Sequence, residues 1–194
     1  MARALFIIDV QVDFCEGGAL ACEGGAAAAS AITNHIRQNK SAYDYVIASR
    51  DWHTPNDPNS GHFPAPGEQP DFVNNWPLHC IAGEPGAEYH PNLDSSLIDI
   101  HIKKGQGAHG YSIFEGIDEN GVGVAQLLEN LGVKEVDVVG IATDYCVRAS
   151  SLDANQHGIR TRVITSLTAG VNPVSTEAAI DEMVDAGVDV VPVF

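Results

Sequence analysis

The sequence predicts an α/β protein built on a parallel sheet. Short apolar runs alternate along the chain with stretches of helical spacing, the pattern of strands joined by helical crossovers. A β-branched run such as Val136-Asp-Val-Val-Gly-Ile141 reads as a strand buried on both faces. Glycines stand just past three of the helical stretches, at 132, 158 and 187, where a left-handed residue commonly closes a helix.

Taken in order, the first strand spans 3–9, around Ala4-Leu-Phe-Ile-Ile8, and a helix over 24–40 opens at Gly24-Gly25. Strands follow at 45–50 and 98–103. In the second of these Ile98, Ile100 and Ile102 share one face, because side chains alternate with period 2. A helix over 122–131 leads to the strand at 136–141. Thr143 and Asp144, residue types that cap helices, then introduce a helix over 144–157. A strand at 160–165, a helix at 175–186 and a strand at 188–192 complete six strands and four helices.

The chain of 194 residues reads as one domain, 1–194, with ordinary globular composition: 44% hydrophobic and 19% charged. A net charge of −16 makes nucleic acid and anionic membrane surfaces poor partners, leaving small molecules as the expected ligands. The apolar run at the N-terminus is too short for a signal peptide, and no segment approaches the ~18 apolar residues needed to span a bilayer. The expected location is the cytoplasm. Four cysteines at 15, 22, 80 and 146 lack zinc-like spacing, and a reducing compartment argues against disulfides. Residues 51–96 break the pattern. They hold eight of the ten prolines, both tryptophans and His53, His62, His79 and His90, without sustained periodicity. A connection that long inside a compact domain is functional or disordered, and this one is too rich in aromatic and imidazole groups for a disordered linker.

Reactive residue types converge on the strand ends, where open parallel sheets bind ligands. Asp9 ends the first strand, Asp51 and His53 follow the second, Lys104 the third, and Cys146 the fourth. Cys146 falls in the first turn of a helix, where free N–H groups and the macrodipole favour thiolate over thiol and can receive an oxyanion. The competing reading is a small buried hydrophobe. Asp9 is a candidate base for that thiol, or a turn-capping aspartate ahead of Gln11 and Asp13. Lys104 continues the apolar face of the third strand and is the candidate for a buried ammonium held against Asp9. Lys103 follows Asp99 and His101 on the other face, as a solvated charge. Asp51, His53, His62 and His79 suit zinc, iron or manganese; surface or hydrogen-bonding histidines are the alternative. His35, His90, His101, His109 and His157 show no such grouping and read as ordinary histidines. Phe14, Trp76, Tyr111 and Tyr145 flank the rim, as core packing or as walls for a flat ring.

Together, Asp9-Val-Gln-Val-Asp-Phe14, Asp51-Trp-His53, Trp76-Pro-Leu-His-Cys80, Lys104-Gly105, Phe114-Glu-Gly-Ile-Asp-Glu-Asn-Gly121 and Gly140-Ile-Ala-Thr-Asp-Tyr-Cys-Val-Arg148 resemble the bacterial nicotinamidases of the isochorismatase-like hydrolases. The resemblance covers essentially the whole chain. It implies a three-layer fold, a six-stranded, mostly parallel sheet of Rossmann-like strand order with helices on both faces. It also implies a catalytic trio of Asp9, Lys104 and Cys146, and one divalent metal on Asp51, His53, His62 and His79. Further implications are a cis peptide at Ile141–Ala142 and substrate contacts from Phe14, Trp76, Tyr111, Ala142 and Tyr145. The implied activity is hydrolysis of nicotinamide, with pyrazinamide as a second substrate, in NAD salvage. Tyr145 stands where some relatives carry histidine, and the interval between Asp51 and His62 varies within the family. The alternatives are a related amidohydrolase for a carbamoyl or ureido compound, an isochorismate hydrolase, which works without a cysteine nucleophile, or a non-catalytic binding relative. Oligomeric state is not implied.

Overall fold

The computed structural model describes residues 2–194 and contains one six-stranded parallel sheet. Its strands are β1 (Ala2–Ile8), β2 (Tyr45–Asp51), β3 (Ile100–Lys104), β4 (Val133–Ile141), β5 (Arg160–Ala169) and β6 (Asp189–Val191), in the spatial order β3-β2-β1-β4-β5-β6. The helices are α1 (Gly25–Asn39), α2 (Val124–Leu131), α3 (Arg148–Gln156) and α4 (Pro173–Asp185). The order reverses at β1, which pairs with β2 on one side and β4 on the other.

β1 is apolar throughout its core because it is covered on both faces. Ala4, Phe6 and Ile8 join one core, with Val136 and Val138, Leu127 and Leu128 of α2, Ala154 of α3 and Met183 of α4. Leu5 and Ile7 point the other way, onto Ala28, Ala29, Ile32 and Ile36 of α1. Burying each such large side chain contributes about 1.5–3 kcal/mol. The sheet is thus the middle of three layers, as the resemblance implies.

The departures are local. β4 begins three residues earlier than expected, and β5 runs four residues longer, to Ala169. The extra length accommodates a register shift between Val138 and Gly140, where Gly140 faces Thr168. Gly140 has φ 117°, and a Cβ there would collide with the backbone of Ile8. β3 starts at Ile100, after Asp99, whose carboxylate accepts a 2.8 Å hydrogen bond from the Val46 amide. The helix expected over 144–157 is divided. A π turn, Thr143–Val147, precedes α3. Thr143 and Asp144 do not cap it, which corrects the sequence reading. The Thr143 hydroxyl donates to Thr168. The Asp144 carboxylate accepts from the amides of Val171 and Asn172 and the hydroxyl of Ser175, at the start of α4.

Residues 51–96 are ordered by buried polar side chains. The Gln11 amide donates to the carbonyls of Asp51 and Ala87 and accepts from the Asp51 N–H. Asp13 accepts from the Cys80 amide at 2.7 Å, and Asn59 accepts from the amides of Thr54 and Gly107. All four cysteines are free and buried. Among the described residues, no helix is long and apolar enough to cross a membrane.

Candidate active site

The carboxyl ends of β1 to β4 bring the reactive residues to one rim. Asp9 follows β1 with a left-handed backbone, φ 48°. Asp51 and Lys104 are the last residues of β2 and β3 and are direct register partners. β4 leads through a cis peptide at Ile141–Ala142, as implied by the resemblance, into the π turn that carries Cys146.

Lys104 is the centre of this cluster. Its Nζ is fully buried, 2.7 Å from Asp9 Oδ2, in ion-pair contact with Asp51 Oδ1, bonded to the Gly110 carbonyl and 3.9 Å from Cys146 Sγ. Burial disfavours its charge, but the Asp51 and Asp9 carboxylates hold its pKa well above the ordinary lysine value. Lys103 lies half-buried against the Trp52 ring, 4.3 Å from its centre. The choice of Lys104 as the buried ammonium therefore agrees with the geometry. The Asp9 carboxylate also accepts from the Ser49 hydroxyl at 2.7 Å, so it bonds across strands instead of capping its own turn. Burial pushes Asp9 up, to about 6, against the pull of Lys104 and with a further push from Asp51.

Cys146 departs from expectation. Burial raises its pKa well above the ordinary thiol value; Lys104 opposes the shift, while Asp9 and Asp51 reinforce it. Enclosure and the two nearby carboxylates thus oppose the thiolate that a helix-start position by itself would favour. The exposed edge of Cys146 opens on a pocket of about 40 Å³ that Asp51, His62 and His79 also line. Phe14, Trp76, Tyr111, Ala142 and Tyr145 are all in its wall. Trp76 Nε1 donates to the Tyr111 hydroxyl at 2.9 Å, and the Tyr111 and Tyr145 rings stack 6.2 Å apart. Leu20, Cys22 and Val171 complete the wall. Nothing in their residue types marked them. Their only signal is position, in the loops that follow the first and fifth strands.

Three imidazoles meet beside the thiol. One nitrogen from each of His53, His62 and His79 lies within 4.8 Å of the others. Asp51 Oδ2 is 3.5 Å from His53 Nε2 and 3.9 Å from His79 Nε2. Tautomers are assigned by the fixed acceptors. His53 Nδ1 donates to the Gly105 carbonyl at 2.9 Å and His79 Nδ1 to the Pro77 carbonyl at 2.7 Å, so each turns a bare Nε2 to the cluster. Gly105 must lack a side chain here, since a Cβ would lie 2.7 Å from the His53 ring. Burial lowers the His79 pKa and takes His62 down to about 3, so both rings are neutral. The buried His53 Nε2 has no hydrogen-bond partner, and the Nε2 atoms of His62 and His79 stand 3.3 Å apart. Two ionised carboxylates share a single ammonium, which leaves surplus negative charge. A divalent transition ion fits this donor set on charge, on ligand type and on the orphaned nitrogen. His109, read as an ordinary histidine, belongs to this group: its Nδ1 is 3.2 Å from His62 Nδ1. Its separation from His62 by 47 residues hid the contact. The remaining histidines stay apart, His35 on Tyr43 and His101 on Tyr89.

The chain as a whole is similar to known proteins. Residues 3–193 match the Isochorismatase domain family. Over 189 residues the chain is 49% identical to the nicotinamidase/pyrazinamidase of Mycobacterium tuberculosis, covering 97% of this chain and 98% of that protein. The pyrazinamidase of Pyrococcus horikoshii, crystallised in complex with zinc, has a TM-score of 0.81 at 34% identity over the whole of both chains. A protein from L. infantum, crystallised in complex with nicotinate, has a TM-score of 0.80 at 33% identity and covers 98% of this chain and 92% of its own. Motif, strand order and overall similarity lead to one assignment: the chain belongs to the isochorismatase domain family.

Proposed function

We propose that this chain hydrolyses nicotinamide to nicotinate and ammonia through a thioester on Cys146, and deamidates pyrazinamide by the same route. One observation carries the reading: a thiol backed by a buried carboxylate–ammonium pair shares an aromatic-walled pocket with a cluster of imidazoles. The near relatives named as nicotinamidases support it. Asp51, His53, His62 and His79 would hold one zinc, iron or manganese ion. Such an ion, when bound, supplies a Lewis acid for a pyridine nitrogen.

The chain's own residues perform the acyl transfer. Phe14 and Trp76 hold the ring, and Tyr111 and Tyr145 close the wall. Asp9, ionised at neutral pH yet close enough to neutrality to carry a proton, takes the hydrogen of the Cys146 thiol as the sulfur attacks the carboxamide carbon. Lys104 stays an ammonium and stabilises the negative charge as it passes between carboxylate and sulfur. The N–H groups of Ala142 and Cys146 receive the oxyanion. Asp9 gives its proton to the departing nitrogen, releasing ammonia and leaving the thioester. Water then attacks the acyl carbon, Asp9 accepts one of its protons and returns it to sulfur, and the acid leaves and gives its remaining proton to solvent as nicotinate.

The test is ammonia release by purified protein from nicotinamide, pyrazinamide and a panel of carbamoyl and ureido compounds, before and after chelation. Nicotinamide and pyrazinamide should be consumed, chelation should remove most activity, and a divalent transition metal should restore it. Turnover of a ureido compound with none of nicotinamide would overturn the substrate. Full activity after complete metal removal would overturn the role of the histidine cluster.

A further inference from the structure

Two of the three clustered histidines have their outer nitrogen fixed by a backbone carbonyl, His53 on Gly105 and His79 on Pro77. His62 has none. The partner of its outer nitrogen is the His109 imidazole, Nδ1 to Nδ1 at 3.2 Å, with the rings nearly perpendicular at 84°. His109 is half-buried and lies parallel to Tyr111, 6.0 Å between ring centres and 12° between planes. The stack sets the direction of its Nδ1. Tyr111 is itself held by the Trp76 indole.

For His62 to present a bare Nε2 beside those of His53 and His79, its proton must sit on Nδ1 and needs an acceptor there. His109 supplies one as its Nε2–H tautomer. Were His62 Nε2 to donate to His79 Nε2, its Nδ1 would need a donor, and the other tautomer of His109 supplies that too. A carbonyl can serve only the first arrangement. We propose that His109 is a positioning residue for a divalent transition metal on the histidine cluster, acting through His62 by accepting its Nδ1–H and thereby setting its tautomer and ring plane. The proposal rests on the metal reading above and adds a residue to it.

The test separates the acceptor from the ring. His109→Phe keeps a ring against Tyr111 and removes the acceptor; His109→Asn places an amide oxygen near the lost Nδ1. Stripped wild type and variants are titrated with Zn²⁺ in competition with a chromophoric chelator, and thermal melts of the stripped proteins are compared. Lost outer partners of metal ligands weaken binding by about 10–100-fold, so His109→Phe should bind Zn²⁺ at least about 10-fold more weakly. His109→Asn should stay within about threefold of wild type, with the stripped melts coinciding. His109→Ala, which removes acceptor and ring together, repeats the measurement if phenylalanine is not accommodated. Wild-type affinity in His109→Phe and His109→Ala would overturn the assignment, as would His109→Asn falling as far as they do. A wild-type protein that takes up no zinc, iron or manganese would overturn the metal reading itself, and this inference with it.

Discussion

Replacing Lys104 by methionine preserves an unbranched side chain of similar length and deletes one buried ammonium. In the folded chain that ammonium is 2.7 Å from Asp9 Oδ2 and also pairs with Asp51. At an effective dielectric of about 20, a contact at that distance is worth about 6 kcal/mol of gross attraction. Desolvating the two ions offsets most of it, at several kcal/mol each. The net effect is decided by what remains: two carboxylates, both fully enclosed, facing each other without a cation. Breaking a buried pair from one side costs about 3–5 kcal/mol. For a chain of this size that lowers the melting midpoint by about 6–20 °C, at about 2–4 °C per kcal/mol. The assay is urea and thermal denaturation of the stripped wild type, Lys104→Met, Asp9→Asn and the double variant. In the methionine background Asp9→Asn should recover about 1–3 kcal/mol, since it removes one of the two stranded charges. Ammonia release should stay lost in both. A loss of less than about 1 kcal/mol in Lys104→Met, or a double variant no more stable than Lys104→Met alone, would refute the argument that this ammonium stabilises both carboxylates.

Two further outcomes are expected. Cys146→Ala should reduce ammonia release by on the order of 10³-fold or more while circular dichroism and melting remain those of a folded protein; near-normal turnover would remove Cys146 from the mechanism. Asp137→Asn probes the other end of the sheet, where Asp137 is buried and accepts from Arg3, Arg162 and Tyr43. Burial alone would raise the Asp137 pKa, but the bonds from Arg162, Arg3 and Tyr43 hold it below the ordinary value. A depressed carboxyl contributes stability above the unfolded value of about 3.9 and loses it as the pH falls. The arginines are about a quarter exposed, so the loss at pH 7 should be about 2–3 kcal/mol, at the low end for such bonds. Urea denaturation should show the gap between wild type and variant closing below about pH 4, and a gap independent of pH would count against the network.

Much of the site was legible because it lies at strand ends. Asp9, Asp51, Lys104 and Cys146 are each tied to a strand whose apolar run announces itself, and parallel strands deliver their carboxyl ends to one rim. Alternation along Ile98, Ile100, Ile102 and Lys104 separated the buried lysine from Lys103. The resemblance then joined His62 and His79 to the set, which irregular spacing within a proline-rich segment left open. His109 was missed because it stands 47 residues from His62, beyond β3 and in another loop. Asp144 was misread because its bonds go to α4, a helix that begins 29 residues later. Local propensity describes what a residue does for its own turn, and both of these serve a distant one.

From its residues alone this chain determined six strands, four helices and the chemical types available at their ends, because periodicity and backbone preference act over a few neighbours. Folding decided which charges share an enclosure. Burial raises the Cys146 thiol pKa, one ammonium serves both Asp9 and Asp51, and three imidazoles meet at one cluster, because burial strengthens every charge–charge term and only packing sets the distances.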